Sequence, residues 1–141
     1  MRSDGSDAGA SGREALARLR RFGGDALVRD MSAILVADVP ERIGAARAGL
    51  RAGDAAAVRL ATHAMKSSCA QFGAVAVARL CEAAEGAARR ADLAPVAPLL
   101  DAIEHEFDGF RRWLGREVPA LSAPSERPGP AKRPVVPEAR P

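Results

Sequence analysis

The residues of this chain whose types and spacing can do chemistry sit close together. His63 and Lys66 lie three positions apart in a stretch from Asp54 to about Phe72 that reads as a helix. At roughly 100° per residue, Val58, Ala57, Ala61, Met65, Ser68 and Phe72 gather on one side and His63 falls on the other, facing out. Within about 60° of His63 lie Arg59, Lys66, Ser67, Ala70 and Ala56, two cations and otherwise only small side chains. A bulky partner can therefore come close to the imidazole. An imidazole nitrogen is a nucleophile. A phosphoryl group placed on it would carry its oxygens above the following turn, where a compact ammonium on a flexible stem can track them. Of the 21 basic residues 19 are Arg, yet the position one turn after His63 is one of only two Lys, which composition alone does not explain. The plainer reading is an ordinary solvated histidine on a polar helical face.

The elements that position these residues follow from length, composition and periodicity. A chain of 141 residues fits one domain large enough to bury an apolar core. Its net charge of +3 divides into −1 over residues 1–12, +2 from Pro119 onward and +2 between them. That near-neutral body argues against nucleic acid, whose binders concentrate basic charge on one face. The apolar runs are broken by charge well short of the roughly 20 residues of a membrane span, so no membrane is expected. Cys69 and Cys81 show no metal-ligand spacing and no secretory leader ahead of them, and are expected to be reduced core thiols of a cytoplasmic protein. Abundant Ala, scarce aromatics and no Tyr favour an all-α fold.

Residues 1–12 are small, polar and without periodicity, and are expected to be a flexible leader. A short first helix spans Arg13 to Phe22, with Leu16, Leu19 and Phe22 inward, and stops at Gly23-Gly24. Asp25 caps a second to about Val36, with Leu27, Met31, Ile34 and Leu35 as its buried stripe. Pro40 opens a third, which carries Ile43, Ala46 and Leu50 and ends near Gly53. Asp54 caps the helix of His63, Gly73 punctuates, and a fifth runs from Ala74 to about Arg90. The sixth opens at Asp92 to Pro95, with Leu99, Ile103, Phe107, Phe110 and Leu114 inward and Pro98 awkward near its start. Beyond Val118 lie seven of the ten prolines, so residues 119–141 are expected to form a disordered Pro-rich tail. The domain proper is then 13–118, an up-down four-helix bundle with accessory N-terminal helices.

At this point the residues match a family. The run from His63 through Ala64, Met65, Lys66, Ser67, Ser68, Cys69, Ala70, Gln71 and Phe72 to Gly73 and Ala74 resembles the His-x-[Leu/Met]-Lys-Gly-Ser-[Ser/Ala]-x-x-[Leu/Phe]-Gly-Ala signature of histidine phosphotransfer (HPt) domains. The Leu80 to Glu85 segment looks like that family's next helix, and Leu50 to Asp54 like its Leu-x-x-Gly-Asp lead-in; the likeness spans roughly residues 14–116. The resemblance implies a phosphorelay intermediate of two-component signalling. His63 would be its phosphoacceptor, exchanging a phosphoryl group through Nε2 with the aspartyl phosphate of a receiver domain or a kinase. It further implies that Glu85 hydrogen-bonds the other ring nitrogen and so fixes the tautomer with its lone pair on Nε2. The residue pattern leaves open a second arrangement in which Glu85 pairs only with Arg89, four residues on. Ser67 departs from the family, which usually has Gly there; Ser is still small, and its hydroxyl can donate to a phosphoryl oxygen.

With no nucleotide-binding glycine loop, the chain is expected to have no kinase activity of its own and no cofactor. Mg²⁺ and the reacting aspartate would belong to the receiver, His63 would supply the nucleophile, and Lys66 would offset charge on the transferring group. Arg59, Ser67 and Ala70 would line the partner-binding surface of a monomer that meets receiver domains of response regulators or a hybrid histidine kinase. His105, flanked by Glu104 and Glu106 and with no Lys at plus three, reads as solvated. A metal site built from His63, Cys69, Cys81 and His105 would need residues from three helices, and Cys69 points away from His63. The alternative function is a non-catalytic helical adaptor that docks on a kinase or receiver. The Pro-rich basic tail is the other candidate element, as a polyproline ligand or an anchor to anionic surfaces.

Overall fold

In the computed structural model, which describes residues 5–122, every element is helical: α1 Gly5–Ala52, α2 Ala55–Gln71, α3 Val75–Arg89, α4 Val96–Glu117 and the single turn α5 Pro119–Ser122. Helix α1 is two limbs joined at Gly24, whose φ of 71° and ψ of −166° break the helix without ending it. Only a residue lacking Cβ takes that conformation at little cost, which is why the Gly23-Gly24 pair marks the break. The second limb packs against α2, α2 against α3, α3 against α4, and α4 closes back on α1, giving the expected up-down bundle.

Four expectations change. The helices drawn separately over Asp25 to Val36 and from Pro40 onward are one continuous limb, with Pro40 inside it. Pro removes one backbone hydrogen bond and costs about 3 kcal/mol in a helix interior. Here it lies on the exposed side, while Val28, Ser32, Leu35, Val39, Ile43 and Ala46 form an unbroken buried stripe that runs past it. Phe22 and Ile34, expected inward, are 83% and 60% exposed. Nor does a flexible leader reach residue 12. The helix starts at Gly5, and Gly9 and Gly12 are buried. Gly12 lies flat against the Trp113 ring, where an added Cβ would come within 2.5 Å of the indole. At the other end the expected disordered tail does not begin at 119, since Pro119–Ser122 form a helical turn and Val118 and Leu121 pack on the core; residues 1–4 and 123–141 lie outside the described residues.

The ends of α2 are set as its sequence requires. The Asp54 side chain accepts from the backbone N–H of Ala57 at 3.1 Å. Gly73, at φ +73°, turns the chain into α3 so tightly against the first limb that a Cβ there would sit 2.3 Å from the Ser11 carbonyl oxygen. Pro98 is the third residue of α4, where its missing N–H has no helical partner to lose. The core draws on all four long helices and includes Leu16, Met65, Leu100, Ile103 and Leu114 at 2% exposure or less. Among the described residues no helix is long and apolar enough to cross a membrane.

Candidate functional site

Helix α2 buries Val58, Ala61, Thr62, Met65 and Cys69, which rotates His63 out of the bundle, its side chain 56% exposed. The neighbouring Thr62 hydroxyl is occupied within the helix, donating to the Val58 carbonyl at 2.8 Å. Arg59, Ser67 and Ala70 are exposed along the same strip, and Lys66 is half-buried. Leu60 joins them at 67% exposure, one turn before His63. The strip drawn from the sequence omitted Leu60, although minus three and plus three are equally far from His63 around the helix, about 60° to either side. The symmetry that picked out Lys66 would have found it.

Facing this strip, α3 presents Glu85, only 5% exposed among small residues and the Cys81 thiol. Its Oε2 lies 2.8 Å from His63 Nδ1, and its Oε1 lies 2.8 Å from Lys66 Nζ. Arg89 is a distant third, its guanidinium 3.8 Å from Oε2. The choice left open by the sequence is thus decided by geometry: Glu85 joins His63 and Lys66 across the α2–α3 seam, and Arg89 only borders them. The Lys66 ammonium does most to hold the Glu85 carboxyl below its usual range; desolvation opposes that effect and the bond to His63 adds to it.

An ionised carboxylate can only accept, so in the neutral ring the proton sits on Nδ1 and the lone pair on Nε2. No protein group engages Nε2 among the described residues. Lys66 is attached to the inner side of the same cluster, one turn from the ring, and the long stem of Lys lets its ammonium move. Burial pushes both the Cys69 and the Cys81 thiols up to about 12, which makes them inert core groups. His105 is exposed on α4, remote in the chain from this cluster.

A model of the Hpt domain family matches residues 30–113. The chain belongs to that family. Among solved structures the Hpt domain is similar to histidine-containing phosphotransfer protein B (HptB) from Pseudomonas aeruginosa PAO1, with 32% sequence identity over 75% of this chain and 91% of that chain, and a TM-score of 0.71. No curated protein matches it. The matched stretch contains all of α2 and α3 and the second limb of α1 from Asp30 on. The first limb, seated on Gly73 and Trp113, lies outside the matched stretch of this Hpt domain.

Proposed function

We propose that this Hpt protein takes a phosphoryl group onto Nε2 of His63 from the aspartyl phosphate of a receiver domain, or from a kinase, and passes it to another receiver. The observation that carries this reading is the ring's anchorage: Nδ1 is tied to a buried carboxylate while the opposite edge of an exposed imidazole is left free. In the forward step the Nε2 lone pair forms the N–P bond, the P–O bond to the donor aspartate breaks, and the electron pair leaves with that carboxylate. The receiver contributes its aspartate and Mg²⁺. Lys66, one turn away, moves toward the phosphoryl oxygens as charge shifts onto the transferring group. Leu60, Arg59, Ser67 and Ala70 form the surface that meets the receiver, with small side chains directly beside the ring. The protein acts as a monomer.

The test is to incubate the protein with a phosphorylated receiver or a hybrid kinase and score acid-labile, alkali-stable label. Wild type should label and His63→Gln should not. Label retained by the variant would remove His63 from the mechanism. A wild type that stays unlabelled with many donors would instead leave the adaptor, docking without transfer.

A further inference from the structure

The carboxylate behind the imidazole does more than orient it. We propose that Glu85 holds the proton on Nδ1 of His63 after the phosphoryl group has been taken up, keeping the carried group in a form ready to be passed on. This rests on the reading of His63 as phosphoacceptor.

When a neutral imidazole attacks through Nε2, Nδ1 keeps its hydrogen and the ring becomes positively charged. While that proton stays, the ring can later leave phosphorus as neutral imidazole. Once it is lost, the ring could leave only as an imidazolate anion, a far poorer leaving group. The fate of one proton therefore decides whether the N–P bond is poised or inert.

At Nδ1 the structure places an acceptor 2.8 Å away that cannot become a donor while ionised. Loss of the proton would set a ring lone pair against a carboxylate oxygen at that distance. Because Glu85 is 5% exposed, water is poorly placed to relieve the clash. A side-chain amide at the same place could turn its NH₂ toward the bare nitrogen and tolerate the loss.

The charged groups around the ring act in both directions. Lys66 on α2 and Arg89 on α3 are cations that disfavour a second positive charge, but both face Glu85, at 2.8 and 3.8 Å. Arg59, one turn earlier on α2, and Glu82, one turn before Glu85 on α3, are exposed to solvent. Among the described residues no ion pair from α1 or α4 reaches the cluster. Removing the Glu85 charge would leave Lys66 uncompensated, which pushes the ring proton off as well, so both consequences have the same sign.

The test uses the full chain and phosphoramidate as donor. Nε2–P forms, the donor P–N bond breaks, ammonia leaves, and the ring takes the positive charge. Loss of the phosphohistidine ³¹P signal is followed from about pH 5 to about pH 9 in wild type and in Glu85→Gln. In wild type the hydrolysis rate should hold and then fall as Nδ1 deprotonates. In the variant that fall should come about one unit lower, leaving its N–P bond about tenfold more persistent near the upper end of the range. Superimposable profiles would overturn the inference while leaving His63 as acceptor. So would a ¹⁵N spectrum of phosphorylated wild type with an unprotonated Nδ1 near neutral pH, a measurement that needs no variant. Equal uptake by His63→Gln would instead sink the phosphoacceptor reading.

Discussion

The α2–α3 seam and the α1–α4 seam both use Arg or Lys to bridge carboxylates, and they do so to different ends. Across α1 and α4, Arg47 reaches Asp101 at 3.2 Å and Glu104 at 2.8 Å, and further along α4 Asp108 pairs with Arg111 and Arg112. The Asp101 and Glu104 side chains are 73% and 64% exposed, so water screens their pairs and each contributes little. At the α2–α3 seam the carboxylate is buried and its cations are half in water, so the charge of Glu85 acts mainly on two neighbours, one of them the proposed nucleophile. The contrast teaches that burial, more than the number of ion pairs, separates a surface brace from a site.

Breaking the α2–α3 seam should have the largest effects. His63→Gln should abolish label uptake entirely while leaving the helical circular dichroism intact, because an exposed side chain contributes little to the core. Lys66→Ala should slow transfer from a receiver by about 100-fold, the scale for losing one preorganised charge at a reacting group, as measured by single-turnover transfer. Gly73→Ala strikes the turn that joins the seam's two helices. A Cβ at φ +73° and 2.3 Å from the Ser11 carbonyl oxygen should cost about 3 kcal/mol, read from denaturant midpoints.

Acid sharpens the comparison further. Because Glu85 lies below its ordinary 4.5 in the folded protein, its ionised form stabilises the fold fully above that value, and the contribution is lost as pH falls through the lowered folded value. Unfolding measured below about pH 4.5 should therefore show a decline in stability that is shallower in Glu85→Gln. At the other seam, Arg47→Ala should change stability by less than about 1 kcal/mol and label uptake not at all. A larger loss there would mean the α1–α4 bridge is not the screened brace its exposure implies.

The sequence made α2 legible because every signal on it is local: the Asp54 cap, the Gly73 stop, and an apolar stripe that turns His63 outward. Spacing alone did not make the partner of Glu85 legible, and only the family resemblance pointed to His63. Arg89 is fixed by spacing along one helix, whereas His63 belongs to another, and no periodicity measures the gap between two helices. Pro40 misled for the opposite reason. Its local signal of a helix start was strong, but the buried row from Val28 to Ala46 runs past it, and that burial outweighs one missing hydrogen bond. Small residues such as Gly9 and Gly12 carry no apolar stripe of their own, so the sequence around them suggests flexibility. Their smallness is instead what lets the first limb lie against a large ring on α4.

That ring is the chain's single tryptophan, and tyrosine is absent. Near-ultraviolet excitation at long wavelength therefore excites one indole, which sits where the N-terminal limb meets the body of the bundle. Its emission colour is a built-in gauge of whether that limb is docked. A red shift without loss of helicity would report the limb lifting away before the rest of the molecule comes apart.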